Sequence, residues 1–227
     1  MGMPWPGHED LSGMNGRTGG TLDVAGDVAG AADQPAVHPW DDFALCTVRA
    51  ARGTGTGFAF LTPSWIVTAR HVVSGQPIAQ PIQLLFREGL ALPARVFFAH
   101  PQVDLAVLEV VGDTPCRAPF MPCDRAPISS GLLCVGYRPS TGDEDAGRYP
   151  VSRVDSYERT TRQRDGYEEL LFIFPAPHGA PGRSGDPLLA PTGSVIAVVM
   201  DGITFGGQHV MRATSIVPIF DHLDERR

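Results

Sequence analysis

Three features are missing from this sequence, and each absence argues against a class of protein. No Lys/Arg-rich block is present and the net charge is -7, so nucleic acid and other polyanions are not expected as partners. No Cys-x-x-Cys pair is present, so a zinc site is not indicated. No apolar run reaches the length that spans a bilayer, so we expect no membrane association.

The cysteines leave two interpretations open. In a secreted protein, Cys46, Cys116, Cys123 and Cys134 would form disulfides, whereas in a reducing compartment they are free and mostly buried thiols. We expect free thiols. The amino terminus has no basic start followed by an apolar run and a small-residue cleavage site, so we also expect a cytoplasmic location. A secreted location is the alternative if a signal peptide has been removed.

The composition is rich in residues that form turns. The chain of 227 residues has 21 Pro and 26 Gly with 43% hydrophobic residues, which suits short strands and tight turns better than long helices. We therefore predict an all-β fold that forms a single unit. Residues 1–38 are rich in Gly, Asp and Ala without apolar periodicity, and we predict that they form a flexible arm.

The most distinctive block places one hydroxyl between two glycines. It reads Gly182-Arg183-Ser184-Gly185-Asp186-Pro187. Glycines on either side of a serine give the backbone access to dihedral angles that are closed to other residues, so successive N–H groups can converge beside the hydroxyl. Such a convergence of donors forms an oxyanion hole, which indicates a serine nucleophile.

Two further blocks place ionisable side chains near the ends of predicted strands. The segment Trp65-Ile66-Val67-Thr68-Ala69-Arg70-His71 reads as a strand that ends near a histidine, and Asp104 precedes an apolar strand. A carboxylate beside an apolar strand is costly to bury unless it accepts hydrogen bonds. A histidine N–H would satisfy Asp104, so we expect these two side chains to be partners.

Together these blocks resemble the trypsin-like (chymotrypsin-fold) serine proteases. The block at 182–187 is similar to the family's Gly-Asp-Ser-Gly-Gly-Pro, or Gly-Asn-Ser-Gly-Gly-Pro in the HtrA branch. Thr68-Ala69-Arg70-His71 is similar to Thr-Ala-x-His, and Asp104-Leu105-Ala106-Val107-Leu108 to the family's Asp-[Ile/Leu]-Ala block. The order His71, Asp104, Ser184 is also the family's order, and the resemblance covers about residues 40–220. It indicates a cytosolic, HtrA-like bacterial branch without a PDZ domain.

The resemblance implies two six-stranded antiparallel β-barrels with the active site in the cleft between them. Residues 39–112 would form the first barrel and carry His71 and Asp104. The proline-rich residues 113–128 would link the barrels. Residues 129–227 would form the second barrel, with Ser184 and a short C-terminal helix.

The resemblance also implies a serine endopeptidase. Ser184 would attack a peptide carbonyl, His71 would transfer the proton to the leaving amine, and Asp104 would fix the imidazole tautomer. Backbone N–H groups of Gly182 and Ser184 would hold the oxyanion. This chemistry needs no metal or cofactor, and the expected partner is a protein or peptide substrate.

Two residues of the nucleophile block depart from the family pattern. Arg183 stands where secreted members have the aspartate that pairs with a newly cut amino terminus, so zymogen activation of that kind is not expected. Activity would instead be intrinsic or set by a regulatory protein partner. Asp186 replaces a glycine, and the sequence assigns it no role.

The substrate pocket and the overall activity leave alternatives. The expected pocket residues are His178, Met200, Asp201 and Gly202, from the loop before Ser184 and the strand after it. Asp201 would favour Arg or Lys before the cleaved bond, whereas His178 would favour an acidic or polar residue. A non-catalytic peptide-binding module on the same scaffold is the alternative function. An esterase is disfavoured, because its Gly-x-Ser-x-Gly elbow is missing.

Overall fold

The computed structural model describes residues 42–77, 80–123, 131–136, 152–164, 166–175, 183–205 and 207–224. The predicted arm at residues 1–38 lies outside these residues. Within them the fold is all-β, with thirteen strands and two short helices, as the composition predicts.

The first six strands close into an antiparallel barrel in the order β1-β2-β3-β6-β5-β4. Its interior is lined by large apolar side chains such as Phe58 and Phe60, whose rings meet edge to face. A single helical turn, α1, follows β3. These elements are β1 (Leu45–Arg49), β2 (Thr54–Phe60), β3 (Thr62–Thr68), α1 (Arg70–Val73), β4 (Ile82–Leu85), β5 (Ala91–Ala99) and β6 (Ala106–Val110).

The remaining strands form a second sheet, in the order β8-β7-β11-β12-β13-β10-β9. Over the described residues this sheet is an open half-barrel of seven strands, whereas six strands and closure were predicted. The double-barrel plan and the C-terminal helix are confirmed. The elements are β7 (Leu132–Cys134), β8 (Ser152–Val154), β9 (Glu158–Arg164), β10 (Tyr167–Pro175), β11 (Pro187–Leu189), β12 (Val195–Phe205), β13 (Gln208–Ser215) and α2 (Val217–Asp224).

One strand of the second sheet that was not predicted is β9. Its sequence is almost entirely polar, so it lacks the apolar alternation that marks a half-buried strand. It forms because it pairs with β10 over seven consecutive positions, and Arg162 forms an ion pair with the buried Glu169 on β10. The short β11 was also not predicted, because it has only three residues and begins at Pro187, the last residue of the nucleophile block.

The proline-rich segment between the two sheets has no strand of its own among the residues described up to Cys123. It nevertheless makes two isolated bridges, Phe60 to Phe120 and Pro122 to Val195. The first contacts the barrel and the second contacts β12, so the segment ties the two sheets together.

The larger hydrophobic core contains residues from both sheets and from α2. Val195 and Val198 of β12 and Ile219 and Leu223 of α2 are buried in the same cluster as the first-barrel residues. Helix α2 therefore packs into the core that it shares with the first barrel. None of the helices in the described ranges combines the length and the apolar character needed to cross a membrane.

Candidate active site

The pairing of β3 with β6 brings His71 and Asp104 together. Thr68 at the end of β3 lies opposite Ala106 at the start of β6, so the segments that flank this pair meet at the rim of the barrel. Asp104 Oδ2 lies 2.7 Å from His71 Nδ1, and Oδ1 accepts the backbone N–H of His71 at 2.8 Å. The carboxylate thus holds both the imidazole ring and the turn that carries it.

The two side chains shift each other's protonation. The hydrogen bond that the imidazole donates to Asp104 raises the pKa of His71 above its ordinary value, and this effect exceeds the opposing effect of burial. Burial raises the pKa of Asp104, but the hydrogen bonds and charge of His71, with the charge of Arg70, outweigh it and leave the pKa lowered. Asp104 is therefore ionised at neutral pH, and it favours the protonated imidazolium.

Ser184 lies in a tight turn between Arg183 and Asp186, closed by an Asp186 N–H to Arg183 C=O bond of 3.0 Å. Its hydroxyl donates to the backbone oxygen of Met200 at 2.7 Å, and the described contacts of the hydroxyl do not include His71. The turn is joined to β12, because Gly185 N–H donates to Val199 O and Val199 N–H donates to Asp186 O.

Strand β2 of the first barrel forms the surface against which this turn docks. Thr56 N–H donates to Ser184 O at 2.8 Å. A Cβ at Gly55 would lie 2.6 Å from Ser184 O and 2.7 Å from a methyl of Val72. Ser184 and the residue next to His71 therefore approach the same glycine, which only a residue without a side chain permits.

Two threonines position the turn, and the sequence motifs alone do not indicate this role. Thr68 Oγ1, fully buried, donates to Thr56 O at 2.7 Å. The same Thr56 oxygen would collide with a Cβ at Gly185, whose φ of +95° is in the region that favours glycine. The signal that could have found Thr68 is its place in the Thr-Ala-x-His block.

The two residues that depart from the family pattern, Arg183 and Asp186, form an ion pair with each other. Arg183 Nε donates to Asp186 Oδ2 at 2.9 Å, and the side chains are 4% and 0% exposed. Arg183 Nη2 also donates to Cys134 Sγ at 3.0 Å. A Cβ at Gly136 would collide with the Asp186 carboxylate. The sequence contains a signal for this ion pair, because two residues of opposite charge, three positions apart, lie on either side of the serine.

Burial sets the electrostatics of this pair. It raises the pKa of Asp186 to about 6, although the charge of Arg183 and a hydrogen bond from Thr56 lower it. Burial likewise raises the pKa of the Cys134 thiol to about 12, aided by the nearby carboxylate. The thiol is therefore neutral at neutral pH, and Arg183 and Asp186 carry the opposite charges of this buried pair.

The predicted pocket residues have different environments. His178 and Gly182, the latter a predicted oxyanion donor, lie outside the described residues. Met200 is buried and offers its backbone oxygen rather than its side chain. Asp201 accepts two hydrogen bonds from Arg212, at 2.9 and 2.6 Å. Gly202 is exposed, with room for a Cβ.

The cysteines and the clusters of possible metal ligands complete the inventory of reactive groups. All four cysteines are free thiols, and three of them are buried. Across the part of the chain that the structure describes, no group of three or more His, Cys, Asp or Glu side chains is arranged to hold a metal ion.

The sequence is similar to a known family and to known proteins. Residues 55–198 match the family model described as the trypsin-like peptidase domain. The y4bJ protein of Sinorhizobium fredii is 31% identical over 150 residues, which cover 66% of this chain and 22% of that protein. HhoB of Synechocystis sp., whose description proposes a serine protease, is 26% identical over 147 residues, covering 65% of this chain and 34% of that protein. The chain thus matches about a third or less of the length of these relatives.

Solved protease structures have the same fold. The active form of the Rv3671c protease from M. tuberculosis matches with a TM-score of 0.63 and 21% identity, over 81% of this chain and 80% of that chain. The MamO protease domain from Magnetospirillum magneticum matches with a TM-score of 0.60 and 18% identity, over 80% and 96%. The HtrA-type protease AlgW with a tripeptide matches with a TM-score of 0.62 and 18% identity, over 81% and 60%.

Proposed function

Because the chain belongs to the trypsin-like peptidase family, we propose that it is a serine endopeptidase in which Ser184, His71 and Asp104 form the catalytic triad. The observation that carries this proposal is the His71–Asp104 pair, held by two hydrogen bonds, beside a strand on which the Ser184 turn docks. A histidine held by a carboxylate, near a serine in a glycine-flanked turn, is the arrangement that acyl transfer requires.

The reaction follows from these positions. Ser184 Oγ adds to the carbonyl carbon of the scissile peptide while His71 Nε2 takes its proton. The imidazolium gives that proton to the leaving amine, the C–N bond breaks, and an ester to Ser184 remains. Water then adds to the ester by the same proton transfer and releases the acid. Asp104 stays ionised throughout, because its pKa is lowered.

The oxyanion that forms in both steps needs preorganised donors. We assign this role to the backbone N–H groups of Ser184 and Gly182, and each such donor contributes roughly 3 kcal/mol in comparable sites. Before attack, the Ser184 hydroxyl must break its hydrogen bond to the Met200 oxygen and form one to the imidazole. This change requires a rotation about one side-chain bond.

Substrate binding along β12 would provide that exchange. β12 pairs with β11 only as far as Val198, and Met200 lies at a bulge in its pairing with β13. Among the described residues, one edge of β12 from Met200 onward therefore has unpaired backbone groups. An extended peptide can add to such an edge. A substrate N–H that binds the Met200 oxygen would release the Ser184 hydroxyl toward His71.

The charge of Asp201 gives little support to a preference for basic residues. Its carboxylate is already paired with Arg212, and this pair is only half-buried. We propose that Asp201 and Gly202 contact substrate mainly through their backbone groups. A polar or acidic preference set by His178 remains the alternative.

Regulation and location are inferred from two features. Arg183 is a cation and cannot accept a hydrogen bond from the ammonium group of a new amino terminus. The buried Asp186 carboxylate is already paired with Arg183. We propose that activity is intrinsic or controlled by a protein partner. The free cysteines favour a reducing, cytoplasmic compartment.

The test is cleavage of a library of unstructured peptides by the purified protein, with products identified by mass spectrometry. We expect internal cuts with wild type and none with Ser184→Ala. The alternative, a non-catalytic peptide-binding module, predicts that both proteins retain peptides and neither cuts them. It has some support, because the Ser184 hydroxyl is bound to the Met200 oxygen.

A further inference from the structure

The turn that carries Ser184 is closed twice. Its backbone bond joins Asp186 N–H to Arg183 C=O, and its side chains join the same two residues through the 2.9 Å ion pair. The ion pair lies on the buried side of the turn, with almost no exposure of either side chain. Ser184, between them, is half-buried, and its hydroxyl donates to the Met200 oxygen.

The backbone bond fixes the peptide between Arg183 and Ser184. In a planar trans peptide the C=O and the following N–H point in opposite directions. The Arg183 oxygen points into the turn toward Asp186 N–H, so the Ser184 N–H points out of it. This is the N–H that the proposed function assigns to the oxyanion.

The side-chain bonds oppose any rotation of that peptide. Arg183 donates in two directions, to Asp186 Oδ2 and to Cys134 Sγ on β7. The ion pair joins the two ends of the turn, so it holds them at the separation at which Asp186 N–H reaches the Arg183 oxygen, and rotating the peptide would break that backbone bond. Separating the two charges of the pair in a buried site is costly, so the ends of the turn stay together.

We propose that Arg183 and Asp186 are positioning residues, whose buried ion pair holds the Arg183–Ser184 peptide with the Ser184 N–H directed at the oxyanion. This inference rests on the proposed function and adds the device that keeps its oxyanion donor in place. The pair occupies the two positions at which the sequence departs from the family pattern, so the device belongs to this chain's own residues.

The experiment removes both charges at once in the full chain. The variant Arg183→Met/Asp186→Leu keeps roughly the volume and leaves no buried charge, and apolar replacement of a buried ion pair usually preserves folding. Arg183→Met or Asp186→Leu alone could fail to fold, so neither is used. The probe is a fluorophosphonate that acylates an activated serine, and the readouts are the labelling rate and the urea midpoint.

The expected result is a folded double variant whose labelling rate falls about 100- to 1000-fold, as for the loss of one oxyanion donor. The matched control is Arg162→Met/Glu169→Leu, which removes the ion pair between half-buried Arg162 on β9 and buried Glu169 on β10. The control should label at the wild-type rate. A double variant that is folded and labels as fast as wild type would overturn the inference and leave the proposed function standing.

The pH dependence separates positioning from a merely structural role. The groups that face Asp186 are Arg183, the Cys134 thiol and Thr56, and the pKa of Asp186 is raised to about 6. His71 takes up its proton through a midpoint above 6.5 and Asp186 through one at about 6, so below pH 6 the wild-type labelling rate should fall with the second power of the proton concentration. The labelling rate of the double variant should fall only with the first power, because only His71 titrates. Equal slopes would contradict the inference, and wild type without Ser184-dependent labelling would overturn it together with the proposed function.

Discussion

At the residue scale, the His71–Asp104 pair determines how activity should depend on pH. Asp104 raises the pKa of His71, yet a general base must be neutral to accept the Ser184 proton. Activity should therefore rise with pH through a midpoint above the ordinary histidine value of 6.5. The gain from Asp104 lies in orientation and in stabilising the imidazolium once it forms.

Replacing Asp104 by Asn should lower kcat by about 10⁴-fold at neutral pH, because an amide N–H facing Nδ1 selects the wrong tautomer. The midpoint of the remaining activity should move to lower pH, since the carboxylate that raises the pKa of His71 is gone. A pH–rate profile of both proteins measures both effects. A midpoint that stays in place would mean that Asp104 does not control His71.

Gly185 is the second residue on which the site depends. Gly185→Ala would combine an unfavourable φ of +95° with a collision between the new Cβ and Thr56 O. Gly89→Ala is the matched control, because Gly89 has a φ of +74° but nothing within 4 Å of a Cβ. The strain alone costs about 1–2 kcal/mol.

We expect Gly89→Ala to lose roughly that amount of unfolding free energy, about 1–2 kcal/mol, and to keep its labelling rate. Gly185→Ala should be less stable than the control and should label slowly. Urea denaturation and fluorophosphonate labelling measure the two quantities. Equal losses of stability in the two variants would exclude the contact with Thr56 as a constraint.

At the element scale, β2 joins the first barrel to the nucleophile turn. Two of its glycines lie on one face of the strand but at different depths, because residues i and i+2 share a face. A Cβ at Gly55 would meet Ser184 O, whereas a Cβ at Gly57 would meet the core side chains of Ile66 and Val48. This face of β2 therefore runs from the site into the core.

Gly55→Ala should therefore reduce the labelling rate more than its loss of stability explains, because it displaces the Ser184 turn. Gly57→Ala should reduce stability by overpacking the core, about 1–3 kcal/mol, and leave the labelling rate of the folded protein unchanged. Rates are compared at a urea concentration well below both midpoints. A Gly57→Ala protein with the slower labelling would contradict the assignment of Gly55 to the site and Gly57 to the core.

The elements also differ in how far the sequence could predict them. Strands with apolar alternation or β-branched runs, such as β1 and β12, were evident. β9 was not, because its stability comes from pairing with β10 and from the Arg162–Glu169 ion pair, both of which depend on the tertiary fold. The turn α1 was missed because its four residues are too few to show a helical period.

At the scale of the whole molecule, the first barrel, part of the second sheet and the C-terminal helix share one core, and the rest of the second sheet has a core of its own. Leu223 on α2 is fully buried in the shared core, while Val217 on the same helix is 49% exposed. Leu223→Ala should lower the unfolding free energy by about 2–5 kcal/mol. Val217→Ala should change it by about 0.5 kcal/mol or less.

Chemical denaturation followed by tryptophan fluorescence and by far-UV circular dichroism measures these losses. The two probes should report one transition, because Leu223 contributes to the core of the barrel that precedes it. A Leu223→Ala protein that is as stable as Val217→Ala would mean that the helix does not hold the two sheets together.

The candidate site was partly predictable for a physical reason. His71, Asp104 and Ser184 lie in short blocks whose residue types are dictated locally by strand ends and tight turns. The acceptor of the Ser184 hydroxyl is a backbone oxygen of Met200, which carries no sequence signal. The pairing of Asp201 with Arg212 depends on the register between β12 and β13, so the charge that suggested a basic preference was already compensated.

The measurement that tests the central claim most directly is fluorophosphonate labelling of the purified protein, read by intact mass. Wild type, Ser184→Ala and His71→Ala are compared, each first shown to be folded. The account predicts one adduct on wild type, none on Ser184→Ala and strongly slowed labelling of His71→Ala. A folded wild type that takes up no adduct, or a Ser184→Ala protein that is labelled equally, would contradict the claim that Ser184 is an activated nucleophile.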